Sequence, residues 1–544
     1  MNPAPCQPLG DHATRRHFSL LVGMSVAVVA VVFAAVTNQA WEDYYITYRS
    51  SHNLVAGQGL VYQAGERVET FTSPLGVLLP ALGLWSTGSD AGALWFFRAI
   101  GVAALGLAAA LVVRVLRQQE LQSLALTAAL VLAFFDSKTV SFAVNGMETG
   151  LLVFFTALVW HELTRLDTPR FGWLAAGLAG LQWTRPDGFI PALAMLAGAW
   201  LFIVRARAPA DRRQWWRATG RAVAIGGAVY APWFLWAWCY YGSPVPQTII
   251  AKSVLMPDGV SLERLLASPL RCLVEPTALD GTFAPAYFMA EGWPRDITVV
   301  WRLLARLAAY AWLLPVLPRA TRAASFAVFV GALYLHQIMP YGWYYGPWTL
   351  LGAMVLGGVV QTAVLRLPAI QSVVRVVTGV LVLGTFGLLL CSFQTARVQQ
   401  RWIEESGRKA LGLWLRENAH SRDTVFLEPL GYIGYFSELK MLDHPGLCAP
   451  EVSRLVHQGH RSYGEVIRSL KPVWLVMRPS DLADQALMKD PVMHDYRYVR
   501  GFDMRQQLDN IPLLPGRSAL EFDAVYLVFQ RKDPGRSPAA PASP

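Results

Sequence analysis

Charge is what this 544-residue chain has least of. Asp, Glu, Lys and Arg make up only 15% of it, where a soluble domain carries about 25%. With 54% hydrophobic residues and a mean hydropathy of +0.34, the shortage excludes a soluble globule and leaves a polytopic membrane protein. Cysteine is scarce too. Five cysteines at irregular spacing exclude a disulfide framework. No Cys/His pattern has the spacing of a zinc site, so no metal ligand is assigned. There is no P-loop and no dinucleotide fingerprint, and no repeat of the length that builds a solenoid.

What is present is a series of apolar windows, each of a length that can cross a bilayer or nearly so. They fall near 18–40, 93–113, 122–142, 148–164, 171–184, 188–204, 222–239, 297–316, 323–340, 347–364 and 376–393. That predicts about eleven spans, with 74–86 a shorter apolar segment lying along the interface. The net charge of +10 could suggest nucleic acid, but its placement argues against that partner. Arg15 and Arg16, Arg114 and Arg117, Arg165 and Arg170, Arg319 and Arg322, and Arg366 and Arg375 flank alternate loops. A further six arginines lie between 205 and 221. All fall on one side of the alternation, as the positive-inside rule requires. The N-terminus is then cytoplasmic, and Arg15-Arg16 orients the first span rather than directing export and cleavage. Loops 41–92, 143–147, 185–187, 240–296 and 341–346 face outward, with everything after 393. Cys272 and Cys448 share that side, so a bridge between them is an open reading.

Two parts follow from the composition. Residues 1–393 form the membrane domain, with long outer loops 41–92 and 240–296; loops of that length are usually functional. Residues 394–532 read as a small α/β domain, beginning with an amphipathic helix over 401–420. Thr424–Leu427, Pro472–Met477 and Val525–Phe529 read as strands. The Pro/Ala/Ser tail, 533–544, is expected to be disordered.

The polar groups at outward membrane ends are the candidates for chemistry, since carboxylates there are costly without a task. Glu42 and Asp43 open the first outer loop, which also carries Arg49, Glu69 and Thr72. A carboxylate at a dehydrated interface gains proton affinity and suits a general base. Glu148 begins the fourth span, where helix capping is the simpler explanation. Arg185 and Asp187 lie at the turn between the fifth and sixth. Gln247 and Lys252 follow the seventh, and Arg302 and Arg306 share a helix face four residues apart, suited to phosphate or to snorkelling. His336, Tyr344 and Tyr345 lie among aromatics that form an interfacial belt and could also stack on sugar rings. Together they describe an outward cavity with a base, cations near the lipid plane and aromatics. A reaction with a membrane-borne phosphate as leaving group needs that set.

The run Glu42-Asp43-Tyr44-Tyr45-Ile46-Thr47-Tyr48-Arg49, with Asn53–Tyr62 and Gly65–Leu75, resembles the amino-terminal signature of the GT-C arabinofuranosyltransferases. The likeness is to the terminal enzymes of mycobacterial cell-wall arabinan and their proteobacterial relatives. Shorter matches continue at Asn145–Thr149, Thr184–Gly188, Tyr240–Gly242, Ala251-Lys252 and Trp343–Tyr345, and in the tail at Gly431–Phe436 and Asp443–Leu447. The resemblance implies a mainly α GT-C fold in the bacterial inner membrane, a polyprenyl-phosphate sugar donor, and transfer outside the membrane to a glycan, lipid or protein. It places the acidic pair in the active site. Glu42 stands where the family usually has aspartate, so Asp43 is the safer catalytic assignment. No cofactor is firmly implied, and a divalent cation is left open. Competing readings are a mannosyl- or aminoarabinose-type transferase, a lipid-linked sugar flippase, and a non-catalytic glycan-binding protein.

Overall fold

The computed structural model describes residues 10–165, 167–253, 262–287, 292–484, 486–511 and 515–532. The tail expected to be disordered lies outside them. Every apolar window of the sequence falls on helix. Among the described residues six helices are long and apolar enough to cross a membrane: His17–Thr37, Asp90–Gln118, Pro186–Ala206, Pro209–Tyr241, Gly346–Arg366 and Pro368–Asn418. A seventh counts if Ser123–Phe134 and Ser137–Val144, bent by 44° at their junction, form one span.

The other expected spans are helices of 14 to 17 residues: Thr149–Leu163, Phe171–Thr184, Arg295–Tyr310 and Arg319–Leu335. At about 1.5 Å per residue these reach roughly 21–26 Å, short of the hydrocarbon thickness of about 30 Å. Length and composition alone therefore do not reproduce a count of eleven. Pro74–Thr87 is a short apolar helix capped by Ser73, whose hydroxyl accepts from the Gly76 amide.

The helices share one large core in which small residues set the spacing. Gly23 faces Gly106, Gly101 faces the Ala143 carbonyl, and Gly198 faces that of Ala323, each too close for a side chain. Cys272 and Cys448 are both buried as free thiols, one in this core and one in the C-terminal domain, so no bridge joins them.

The last membrane helix does not stop at 393. It continues without a break through a π-helical stretch, Gln399–Lys409, to Asn418. Beyond it the chain builds a five-stranded sheet from β1 (Thr424–Leu427), β2 (Lys440–Asp443), β3 (Trp474–Met477), β4 (Tyr496–Asp503) and β5 (Val525–Arg531). Their order is β2-β1-β3-β5-β4; β1 runs parallel to β2 and β3, while β5 is antiparallel to β3 and β4.

The sheet and its helices are fastened to the helix Glu42–Val55. Arg49 donates to the Gly434 and Leu439 carbonyls at 2.7 and 3.1 Å, and Tyr62 donates to the Leu430 carbonyl at 3.1 Å. Gly431 must be glycine, because a Cβ there would drive into the Glu42 carbonyl.

Candidate active site

The corner that leads into the helix Glu42–Val55 is built by Arg98. Its buried guanidinium donates to the Val144 carbonyl (3.0 Å), Asn38 Oδ1 (2.9 Å) and the Gln39 carbonyl (2.9 Å). This fixes the turn that delivers Glu42 and Asp43 to the first turn of their helix, where the macrodipole favours carboxylates. Neighbouring residues on a helix face different ways, and these two do. Glu42 accepts from the Gly431 amide and is turned toward the C-terminal domain. Asp43 bonds Trp41 and feels Lys252 and Glu148 on the membrane side.

Beside Asp43 lies a cavity of about 370 Å³ lined by Thr72, Arg185, Asp187, Lys252, Tyr334, Gln337, Tyr341 and Tyr344, among others. Arg185 crosses its wall, paired with Glu148 at 3.0 Å and Asp187 at 2.9 Å, with its guanidinium 4.0 Å from the Tyr344 ring centroid. Tyr334 donates its hydroxyl to Asp187. Lys252 lies 4.8 Å over the Tyr341 ring and makes no ion pair among the described residues. Tyr341 in turn stacks on Trp343 at 4.9 Å.

The electrostatics follow from this packing. Burial raises the Asp43 carboxyl above the ordinary range; Lys252 opposes the rise, while Glu428 and Glu148 add to it. Burial raises Glu42 too, against the pull of Arg408. A raised carboxyl that keeps a nearby cation is suited to taking a proton near neutral pH.

Of the sequence candidates, Thr72, Arg185, Asp187, Lys252 and Tyr344 meet in the cavity, with Asp43 beside it and Glu148 behind Arg185. The others go elsewhere. Arg49 is spent on backbone carbonyls of the C-terminal domain. Arg302 and Arg306 do share a face, but both hold Asp280, at 3.1 and 2.6 Å. Gln247 ties its helix to the C-terminal domain through the Gly446 carbonyl (2.9 Å) and Ser453 Oγ (2.8 Å). Glu69 is buried near Tyr230 and Tyr241, its carboxyl raised to about 7 by burial. The His336 carbonyl accepts from Arg264, and Tyr345 is buried against the Ala278 carbonyl. Of the five cations from which a phosphate clamp could be drawn, Arg49, Arg185, Lys252, Arg302 and Arg306, two line the cavity, and Arg185 is already bracketed by carboxylates. Tyr334, Gln337 and Glu428 were missed, since nothing in their local spacing marks them. Among the described residues no cluster of three or more His, Cys, Asp or Glu is arranged to hold a metal.

These features define a multi-span helical protein with a charged cavity beside Asp43, followed by a five-stranded α/β segment. The same fold is found in ArnT from Cupriavidus metallidurans, whose structure was determined bound to undecaprenyl phosphate. The TM-score is 0.51 at 11% identity, covering 96% of this chain and 99% of that one. An identity that low establishes the fold alone, and it is a GT-C fold.

In sequence, the chain is similar to the terminal beta-(1->2)-arabinofuranosyltransferase of Mycobacterium tuberculosis, 28% identical over 257 residues. The protein of that name from Corynebacterium glutamicum is 29% identical over 270 residues. These alignments cover 42% and 44% of this chain but only 38% and 37% of the relatives, so the chain spans well under half their length. Residues 395–526 match a domain of unknown function (DUF8728). The likeness to GT-C arabinofuranosyltransferases read from the outer-loop motifs stands in these comparisons.

Proposed function

We propose that the chain is a GT-C membrane glycosyltransferase. It moves a sugar, arabinofuranose on the best reading, from a polyprenyl-phosphate donor to a glycan, lipid or protein outside the inner membrane. The observation that carries this is the convergence of Asp43, Lys252, Arg185 and Tyr344 at one cavity. In the proposed step an acceptor hydroxyl oxygen attacks the anomeric carbon. The bond from that carbon to the phosphate oxygen breaks, the polyprenyl phosphate leaves with the electron pair beside Lys252, and the proton passes to Asp43. Tyr341 and Tyr344 line the cavity that takes the sugar, and Arg185 holds Glu148 and Asp187 in place. The undecaprenyl phosphate bound by the structurally similar ArnT supports a lipid-phosphate donor.

In this reading about eleven segments cross the membrane, the N-terminus is cytoplasmic, and residues 394–532 stand outside as a separate domain. The short helices cross as elements buried among the others, where non-helical backbone that completes the crossing is tolerated and the bilayer thins to a shorter segment. Purified protein in nanodiscs, given a radiolabelled polyprenyl-phosphate pentose and a panel of acceptors, should release polyprenyl phosphate and label one acceptor. Failure with pentose, hexose and aminopentose donors alike refutes the reading. A C-terminal alkaline phosphatase fusion should be active; an inactive fusion beside an active cytoplasmic reporter refutes the orientation.

One observation favours a second reading. At the bend between Ser123–Phe134 and Ser137–Val144, a buried Lys138–Asp136 pair at 3.1 Å lies inside a broken apolar segment. Ionisable groups in broken helices are what a lipid-linked sugar flippase uses. Movement of labelled lipid across proteoliposomes without sugar transfer would favour it.

A further inference from the structure

We propose that the carboxyl edge of the C-terminal sheet forms the acceptor wall of the active site, with Glu428 as its acceptor-binding residue and an uncharged, polyhydroxylated glycan as its ligand. The inference rests on the transferase reading for the step that it serves.

The sheet itself supplies the first argument. In open α/β sheets ligands gather outside the carboxyl ends of parallel strands, where successive connections leave on opposite faces. Here β1 lies between β2 and β3 and runs parallel to both. The helix following β1, Gly431–Ser437, packs into one apolar cluster through Leu430 and Ile433. The helices following β2, Pro450–His457 and Tyr463–Leu470, pack into another through Val452, Val456, Val466 and Ile467. The switch point is therefore the gap between β1 and β3. Glu428 directly follows β1 and Arg478 directly follows β3, and they pair across that gap at 2.6 Å.

The second argument is where this edge points. Glu428 is close enough to Asp43 and to Tyr341 for its charge to oppose the ionisation of both. Gln247, on the helix that carries Lys252, is bonded to Gly446 and Ser453 just past the end of β2. The ligand edge of the domain and the membrane cavity thus share a border.

The third is chemistry. Arg478 is buried and already holds Glu428 and Asp523, with Asp481 3.8 Å away, so it has no charge to spare for an anion. Glu428 keeps 43% of its side chain exposed. A carboxylate held by one oxygen accepts from sugar hydroxyls with the other and repels a phosphate or uronate. His444, directly after β2, has a buried Nε2 without a hydrogen-bond partner among the described residues and packs on Tyr463 at 4.8 Å.

The test uses the full chain in nanodiscs, with Glu428→Gln, Glu428→Asp, and arabinan and mannan tetrasaccharides as probes. Saturation-transfer NMR without donor should show a tetrasaccharide binding to wild type and weakened about tenfold or more by Glu428→Gln. In turnover the loss should appear in acceptor KM, with donor affinity unchanged. The acid limb of the pH profile should move to lower pH, because a negative neighbour of Asp43 is gone, and Glu428→Asp should recover part of each effect. A purely scaffolding Glu428 would still move the acid limb through its charge but would leave acceptor binding and acceptor KM unchanged. Unchanged acceptor binding and acceptor KM in Glu428→Gln overturn the proposal even if wild type transfers sugar. Glycan binding that depends on Glu428, in a protein that never transfers sugar, keeps the acceptor wall and refutes the transferase instead.

Discussion

Replacing Lys252 with methionine keeps the stem that packs on Tyr341 and removes the one cation of the cavity not held in an ion pair among the described residues. Arg185 contributes one positive charge, but its partners Glu148 and Asp187 contribute two negative ones, so that trio carries −1. Lys252 therefore supplies the attraction for a donor phosphate. A hydrogen bond to a charged group is worth about 1.5–3 kcal/mol net, and each 1.4 kcal/mol is tenfold. Lys252→Met should weaken polyprenyl-phosphate binding by about 10- to 100-fold, and Lys252→Arg should restore most of it. The same change should reach Asp43, because Lys252 holds down a carboxyl that burial raises. Without it the carboxyl stays protonated to higher pH, and since a base acts only when ionised, the acid limb of kcat/KM should move upward. Glu148→Gln should do the reverse on both counts: tighter phosphate binding, and an acid limb moved downward. Titration of a short-chain polyprenyl phosphate into nanodiscs, with pH–rate profiles of each variant, measures all of this. A Lys252→Met affinity within twofold of wild type refutes the charge argument, as does an acid limb that shifts the same way in both variants.

Asp43→Asn should preserve folding and slow transfer by about 10²–10⁴-fold; a near-normal single-turnover rate would remove Asp43 from the base role. Glu42→Gln should be milder in turnover, because Glu42 faces the Gly431 amide rather than the cavity. Arg408→Met leaves Glu404 buried without the cation it now has at 2.8 Å and leaves Asp523 to Arg478 alone. Breaking a buried pair from one side costs about 3–5 kcal/mol, so a thermal midpoint unchanged in detergent would show the network contributes little. Glu69, raised to about 7, binds a proton when folded that the unfolded chain has released. Its stabilising contribution is complete below about pH 4 and lost as pH climbs through 7. Glu69→Gln should therefore match wild type at pH 4 and exceed it at pH 8 by up to about 3 kcal/mol; a pH-independent difference would refute this.

The sequence announced what is local. Each apolar window became helix because its hydrophobicity is continuous. Glu42 and Asp43 stood out because carboxylates next to a span are rare, and Thr424–Leu427, Trp474–Met477 and Val525–Arg531 became strands as their β-branched and aromatic content suggested. What stayed hidden was the outcome of competition between distant charges. Arg49, Arg302 and Arg306 satisfied every local criterion for a phosphate clamp. Each is instead held by a partner that no spacing rule predicts: backbone carbonyls of the C-terminal domain for Arg49, and Asp280 for the other two. A buried guanidinium has five donors to satisfy, and the partners that satisfy them are supplied by the tertiary fold. The same logic runs the other way for Glu428, which looks like an ordinary loop acid until β3 brings Arg478 to pin it beside the cavity. Lys252 carries the same local signal as the other candidate cations, a positive charge beside a membrane end. It is the more informative because, of the two that line the cavity, it is the one without an ion-pair partner among the described residues.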